Sequence, residues 1–337
     1  LRALVQRAES ANAAPPASLR GYTARYESEV GLVKRLPDRI EGASTIEQTA
    51  GEFTWVVGRG FGQYQEGYRV ITTGVPLPGS AALANGWIMP TLTGERLDLF
   101  GANSGAPTEV GMDSSGLHAV WSPLGPGRDR YYRFEGGDTL TVDFPVGPPQ
   151  RVVRVIVVPW DSLAEKTKVF RGDLYLDPAT GALRRLRGQF LTVGGPPPEG
   201  KAKRLNSIVL NAAVADIVTT EVPGAGWIPT YQRIELEVLI PLTTESWSTL
   251  RVMTSLRDLA PDVAPAGEPL APALAAVTPG RSSVPKDSLH EYRDWQHPPD
   301  KAINSVTLSD LFAVGPLRIR PDGEPVYFWR GPTTLQA

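Results

Sequence analysis

Apolar and polar residues alternate along much of this chain, and the pattern is clearest between residues 151 and 193. Residues 152–158 are a short β-branched run, which is typical of a strand. Residues 169–176 alternate in polarity, and 182–193 have strand character again. Between them, Asp177-Pro178-Ala179-Thr180-Gly181 has the residues of a tight turn, because Asp accepts backbone hydrogen bonds, Pro presets φ and Gly allows positive φ. The pattern predicts a β-hairpin with other strands beside it.

The same reading predicts strands and a few helices along the rest of the chain. Residues 1–12 have apolar side chains at helical spacing and end at a proline pair, which predicts a short amphipathic helix. Further short helices are predicted near 92–99 and 287–294. Strands are predicted at 19–33, 46–57, 67–73, 131–134, 139–144, 204–222, 227–239 and 246–256. The predicted fold class is therefore mainly β: a curved antiparallel sheet, a half-barrel or a sandwich, with a short N-terminal helix.

Composition divides the chain into four parts. Residues 1–16 hold the helix, and 17–257 form the antiparallel β domain. Its ordered insertion at 76–127 combines dense turn residues with large apolar side chains. Residues 258–287 are rich in proline and predict an extended linker or wrapping arm, neither strand nor helix. Residues 288–337 are an aromatic C-terminal arm, which we expect to dock on its own domain or on a partner.

Charge and composition exclude several classes of function. The formal net charge is −2, which gives no global attraction to nucleic acid. The chain has no cysteine, which excludes disulfides, thiolate catalysis and Cys-ligated zinc. No uncharged apolar stretch reaches the about 18 residues of a membrane-spanning helix. Because the sequence starts at Leu1 and not at Met, we expect that a removed signal peptide or an anchor precedes it. The simpler alternative is that the expressed protein was made to begin at Leu1.

Candidate catalytic and metal-binding residues are sparse. Of the three histidines, His118, His290 and His297, the last two lie near acidic residues but match no metal motif. Two serine-containing stretches, 101–105 and 111–116, miss the spacing of a nucleophile elbow and are interpreted as turns. We predict no catalytic residue, no cofactor and no metal, and a hydrolase of unknown type is the remaining alternative.

Two other motifs have structural interpretations. The glycine-rich stretch 58–62 lacks the following helix that a phosphate loop needs, so it predicts a kink or bulge between strands. Arg185 and Arg187 share one face of a strand and could bind a small anion or an acidic partner. A solvated strand face is the simpler interpretation of these two arginines.

The long strands, the Asp177–Gly181 turn and the stretch Gly226-Trp227-Ile228-Pro229-Thr230 at the start of a strand resemble the LolA/LolB-like fold of bacterial envelope proteins. The resemblance covers about residues 19–256 and implies an open half-barrel that holds lipid or acyl chains on a concave apolar face. The insertion and the arm depart from that compact form. In its general β-rich character the chain also resembles the periplasmic accessory subunit of some bacterial photosynthetic reaction centre–light-harvesting complexes, which implies a non-catalytic bridging role.

The expected function is that of a non-catalytic structural or interaction subunit in the periplasm, peripheral to or anchored at a membrane. Its expected partners are subunits of a membrane protein complex, with lipid as a further candidate and no nucleic acid. Aromatic and arginine side chains often dominate protein interfaces. The predicted partner-binding residues are Trp87, Trp121, Trp295, Tyr327, Trp329 and Arg330. A LolA/LolB-like lipid or lipoprotein carrier is the alternative.

Overall fold

One large sheet dominates the computed structural model, which describes residues 1–34, 42–73, 89, 92–97, 120–145, 147–164, 167–193, 209–239, 247–265, 267–277 and 280–297. Within these ranges the chain forms an open sheet of eleven strands, a two-stranded sheet and a few short helices. The prediction of a mainly β fold with a short N-terminal helix is confirmed. Across the same ranges, no helix has the length and apolar character needed to cross a membrane.

The elements follow one another with short connections. Helix α1 spans Arg2–Asn12 and α2 spans Pro272–Ala275, and 3-10 helices span Arg128–Arg130 and Lys286–Glu291. The strands are β1 Leu19–Lys34, β2 Gly42–Val56, β3 Gly60–Thr73, β4 Arg96–Leu97, β5 Val120–Trp121, β6 Tyr132–Val142, β7 Gln150–Pro159, β8 Lys168–Leu176, β9 Leu183–Thr192, β10 Val209–Val222, β11 Gly226–Leu239, β12 Trp247–Val263 and β13 Gly280–Ser283.

The strands of the large sheet lie in the order β13-β3-β2-β1-β12-β11-β10-β9-β8-β7-β6. Neighbours pair antiparallel, except that the edge strand β13 lies parallel to β3. Most neighbours are consecutive along the chain, as expected for hairpins. In the middle of the sheet, β1 instead pairs with β12, a strand far from it in the sequence. This pairing brings the two ends of the domain together.

Helix α1 packs against one face of the sheet, which we call the helix face. Leu4, Val5 and Ala8 of α1 are buried in a cluster with apolar residues of β1 and of β7 to β12. Asn12 fastens the end of the helix to the predicted hairpin turn, because its side-chain amide donates to Gly181 O at 3.2 Å and accepts from Leu183 N at 3.2 Å. Residues 92–97 and 120–132 add buried apolar side chains on the same face.

Two local predictions are wrong. Residues 92–97 form no helix and end in the short strand β4. The two strands predicted at 131–134 and 139–144 are the single strand β6, in which a bulge between Gly136 and Asp138 interrupts the register with β7. A bulge adds a residue and disturbs the alternation from which strands are recognised, so one bulged strand has the pattern of two short strands.

The proline-rich segment also differs from its predicted structure. It was expected to contain neither strand nor helix, but β12 continues to Val263, α2 follows, and β13 completes the sheet edge. Pro261 of β12 lies opposite Tyr22 of β1. The pairing of β12 with β11, on its other side, already ends at Ser255. Proline is tolerated there because β12 is paired on only one side at that level.

Candidate functional site

An apolar cleft opens on the helix face at the C-terminal end of α1. Its cavity volume is about 120 Å³. Residues 11–16 form one wall, residues 225–229 at the β10–β11 hairpin form the other, and Tyr22 and Trp55 lie between them. The lining is largely apolar, which is the usual character of small-molecule pockets.

Local sequence features shape the two walls of the cleft. Pro15 and Pro16 end α1 and redirect the chain into β1, where Leu19 N donates to Pro16 O at 2.9 Å. The opposite wall is the turn before β11, where Gly226 has a φ of 76° and a Cβ would lie 3.0 Å from Pro16. The Arg184 guanidinium carbon lies 3.2 Å from the Trp227 ring centroid and steadies that ring by a cation–π contact.

The cleft offers shape and apolar surface rather than reactive groups. Two of its polar side chains, Asn12 and Thr219, already bond the backbone, Thr219 through its hydroxyl to Leu183 O at 2.5 Å. Burial raises the pKa of Tyr22, so this phenol stays neutral. Among its described lining residues the cleft has no acidic or basic side chain. Its chemistry suits an apolar chain.

The opposite face of the sheet carries charged and polar side chains, and we call it the polar face. The strand registers place one row of residues across eight adjacent strands, β8 to β3. The row consists of Asp173, Arg187, Asp216, Arg233, Met253, Glu29, Gln48 and Arg69. Opposite charges directly across neighbouring strands stabilise their pairing.

Ion pairs on the polar face fix its side chains in place. Glu235 lies between Arg233 at 2.6 Å and Arg251 at 2.9 Å. Desolvation raises the pKa of Glu235, but the two guanidinium groups outweigh it and the net pKa falls below its ordinary value. At the β1 end, Gln48 donates to Glu29 at 2.6 Å and accepts from Arg69 at 2.7 Å. The face is therefore an ordered polar surface.

The segment 286–297, which we call the strap, passes the sheet edge and reaches the polar face. The Arg69 guanidinium carbon lies 4.2 Å from the centroid of the Trp295 ring, which packs edge-on against Tyr292. Asp294 pairs with Arg257 at 2.6 Å. A Cβ on Gly67 would lie 2.7 Å from the Tyr292 ring, so glycine at this position allows the ring to pack on the strand.

Glu27 holds the last described residues of the strap. Its carboxylate accepts from Gln296 N at 2.7 Å and from His297 N at 2.8 Å, and it lies 3.2 Å from His297 Nδ1. Glu27 is buried and desolvation raises its pKa, but these hydrogen bonds outweigh the burial and the net pKa is lowered. The side-chain bond to Glu27 raises the pKa of His297. A carboxylate that accepts two backbone N–H groups fixes the direction of the chain at residue 297.

The structure places two of the six predicted partner-binding residues. Trp295 docks on its own sheet through Arg69, whereas Trp121 stacks on Tyr131 at 4.2 Å beside the core of the helix face. These two tryptophans therefore lie on opposite faces of the sheet. Trp87, Tyr327, Trp329 and Arg330 lie outside the described residues.

The other motifs find local explanations where the structure describes them. Arg185 is buried and bonded to Asp216, so it is neither solvated nor free to bind an anion. Residues 57–59 form the turn between β2 and β3 instead of a kink or bulge. His290 packs edge-on against Tyr68, and in the described residues no group of three potential ligands could hold a metal ion. His118 and the serine stretches 101–105 and 111–116 lie outside the described residues.

Sequence reasoning missed both the cleft and Glu27. The cleft forms where residues 11–16 meet residues 225–229, and no local pattern records a contact over that separation. Glu27 lies in the alternating stretch of β1, where a glutamate has the pattern of a solvated position. The proline pair after α1 was a visible signal, but it indicated only a helix end.

Comparisons with known proteins were made for the whole chain. Neither the protein-family models nor the curated proteins give a match. Among solved structures the chain is similar to one described as lipid–protein interactions in lipovitellin, with 11% sequence identity and a TM-score of 0.26. The similarity covers 76% of this chain, which spans only 27% of the length of that one. A likeness at this level supports no statement about function.

Proposed function

We propose that this protein is a non-catalytic interaction subunit of a membrane-associated assembly outside the cytoplasm. The observation that supports the proposal best is the anchoring of the strap to the polar face by Glu27. This anchoring fixes the point and the direction from which the chain continues into residues 298–337. A fixed starting point lowers the entropy lost when a following segment binds, which favours association.

The composition of residues 298–337 supports a role in binding. This stretch contains Phe312, Tyr327, Phe328, Trp329 and Arg330. Aromatic and arginine side chains contribute much of the binding free energy at protein interfaces. In this proposal the sheet is a rigid base and the C-terminal stretch makes the contact.

The finer assignment rests on the sequence resemblances. A LolA/LolB-like fold would place the protein in the bacterial envelope, and an open sheet with a helix on one face is compatible with it. The resemblance to the accessory subunit of photosynthetic reaction centre–light-harvesting complexes names one class of assembly. Isolation from native membranes in mild detergent, with identification of the proteins that travel with it, tests this assignment.

The proposal is tested by truncation after His297, which keeps every described element. We expect the shortened protein to fold with an unchanged circular dichroism spectrum and to lose association with the assembly by at least about tenfold. The double variant Trp329→Ala/Arg330→Ala is a milder version of the same test. Replacement of Trp160, an exposed tryptophan beyond β7, by Ala is the matched control and should leave association unchanged. If the truncated protein is still present in the purified assembly at the same stoichiometry as the full chain, this function is excluded.

The apolar cleft favours a second candidate, a carrier of lipid or lipoprotein acyl chains. Its walls are apolar, and a chain end could enter between residues 11–16 and 225–229. Mass spectrometry after organic extraction of the natively expressed protein would detect the bound lipid. Ala225→Leu narrows the cleft and should lower the lipid content, whereas Ala179→Leu in the exposed hairpin turn should not. If the extract contains no lipid at a stoichiometric level, the carrier function is excluded.

A further inference from the structure

A second cavity lies at the edge of the sheet, where β13 joins β3. Register brings Arg281 of β13 beside Gln63 of β3. Tyr26 of β1 lies opposite Gly51 of β2. The Tyr26 side chain reaches past β2, since it lines one cavity with Gln63 of β3 and Arg281 of β13. The cavity that results has a volume of about 190 Å³.

All the residues that line this cavity have polar side chains. They are Tyr26, Gln63, Gln65, Arg281, Ser282 and Ser283. Phenol and serine hydroxyls, amide groups and one guanidinium group supply hydrogen-bond donors. No carboxylate lies among these lining residues. The cavity therefore offers one positive charge and no negative charge.

Arg281 is held in place, but no carboxylate among the described residues that line the cavity balances its charge. Its Nε donates to Gln63 Oε1 at 3.1 Å. Its Nη2 is buried and finds no hydrogen-bond partner among the described residues. Desolvation lowers the pKa of Arg281 to about 10, although the nearby Tyr26 raises it slightly. The guanidinium group remains charged at neutral pH, but it is buried at an energetic cost.

Tyr26 supplies a second buried donor at the same place. Its side chain is 2% exposed. The hydroxyl is near Gln63 and Thr49 but completes no hydrogen bond of good geometry within the described residues. Burial raises the pKa of Tyr26, so the hydroxyl keeps its proton. Two buried donors, Arg281 Nη2 and the Tyr26 hydroxyl, are thus left without an acceptor.

We propose that this cavity binds a small tetrahedral oxyanion of the phosphate or sulfate class, held by Arg281, Tyr26 and the hydroxyl of Ser283, which shares the Arg281 face of β13. Arginine forms charge-assisted hydrogen bonds with oxyanions, which are stronger than neutral ones. The donors come from two strands and so approach from different directions, which suits a tetrahedral rather than a planar anion. The same donors would take a free anion or the phosphate of a lipid headgroup, and titration with inorganic phosphate, which has no acyl tail, tests the free anion.

The test is titration calorimetry of the full chain with inorganic phosphate in a chloride buffer. We expect saturable binding that Arg281→Gln weakens by at least about tenfold and Tyr26→Phe weakens by a smaller factor. Acetate, which is planar, should bind more weakly than phosphate. Arg133→Gln changes an exposed arginine paired with Glu135 and is the matched control that keeps phosphate affinity.

Thermal unfolding separates loss of the site from loss of the fold. Phosphate should raise the midpoint of the wild-type protein through mass action and leave that of Arg281→Gln unchanged. Without phosphate, Arg281→Gln should unfold only slightly below the wild-type temperature, because it loses one hydrogen bond, to Gln63, and no ion pair with a described residue. The absence of saturable phosphate binding, or equal binding by Arg281→Gln, would overturn the proposal.

Discussion

The guanidinium group of Arg185 forms two parallel hydrogen bonds with the carboxylate of Asp216. Nε lies 2.6 Å from Oδ1 and Nη2 lies 2.5 Å from Oδ2. The pair joins β9 to β10 on the polar face, and the Arg185 side chain is only 9% exposed. Phe144 and Tyr175 lie 5.6 and 5.7 Å from its guanidinium carbon and exclude water from one side. A bidentate pair in this setting orders the polar face around it.

Asp216→Ala should destabilise the protein because it leaves Arg185 buried without its counter-charge. We expect a loss of about 3 kcal/mol in the free energy of unfolding, measured by urea denaturation. The double variant Arg185→Met/Asp216→Leu removes both charges and should lose less than Asp216→Ala alone.

The exposed pair Arg133–Glu135, at 3.3 Å on the edge strand β6, supplies the control for this prediction. Glu135→Ala should change the free energy of unfolding by less than about 1 kcal/mol, since exposed ion pairs contribute little. Equal losses for Asp216→Ala and Glu135→Ala would contradict the idea that burial makes the β9–β10 pair important.

Gly181→Ala should separate α1 from the sheet. Gly181 has a φ of 78°, and a Cβ there would lie 2.7 Å from the backbone nitrogen of Ala8. Gly58 has a similar φ of 72°, but a Cβ there would meet no described atom within 4 Å. We expect Gly58→Ala to lower the free energy of unfolding by about 1 kcal/mol through backbone strain alone. Gly181→Ala should lower it by at least about 2 kcal/mol more than Gly58→Ala does. Equal unfolding free energies of the two variants would show that α1 tolerates the displacement.

Tyr132→Phe should weaken the junction between the edge strand and the core. The Tyr132 hydroxyl donates to Trp121 O at 2.5 Å and accepts from Phe170 N at 3.0 Å. Phe170 precedes Gly172, the first residue of β8 that pairs with β7. Burial raises the pKa of Tyr132, so the hydroxyl stays protonated. Its removal leaves two buried backbone groups unpaired, and we expect a loss of about 1–3 kcal/mol in unfolding free energy.

Hydrogen exchange monitors the same junction locally. Exchange of peptides that cover residues 168–172 should accelerate in Tyr132→Phe. Tyr131→Phe keeps the ring stacked on Trp121 and should change the unfolding free energy by less than about 0.5 kcal/mol. Unchanged exchange at residues 168–172 in Tyr132→Phe would mean that water replaces the hydroxyl without loss.

Sequence reasoning succeeded where the structure is determined locally. The turn at Asp177 was predicted from its residues, and the Asp177 carboxylate accepts from Ala179 N at 3.0 Å and from Thr180 N at 2.8 Å. The β-branched run 152–158 lies within β7. In both cases the side chains that carry the signal also make the stabilising contacts, so pattern and structure agree.

Features that depend on distant contacts could not be predicted in this way. The strand β13 has the sequence Gly-Arg-Ser-Ser, without alternation or β-branching, and it is a strand only because β3 offers a free edge. Strand formation of this kind reflects context rather than propensity. The oxyanion cavity beside it depends on the register of three strands, and the strap depends on Glu27, which precedes it by about 270 residues. None of these contacts leaves a local pattern.

The bond between Glu27 and His297 makes the attachment of the strap dependent on pH. The folded-state pKa of Glu27 lies below 4.5, so its contribution is present above pH 4.5 and is lost as pH falls through that lowered pKa. The folded-state pKa of His297 lies above 6.5, so its contribution is complete below pH 6.5 and is lost as pH rises through the raised pKa. The two windows overlap between pH 4.5 and 6.5, where the strap should be held most firmly.

Hydrogen exchange of a peptide that covers residues 292–297, corrected for intrinsic rates, measures this effect. Protection should be greater at about pH 5.5 than at about pH 8.5. Glu27→Gln should lower protection at both pH values, because it weakens the charge-assisted bonds to the two backbone N–H groups. His297→Ala should abolish the pH difference, while His290→Ala, elsewhere in the strap, should preserve it. A pH difference that persists in His297→Ala would assign the dependence to another group.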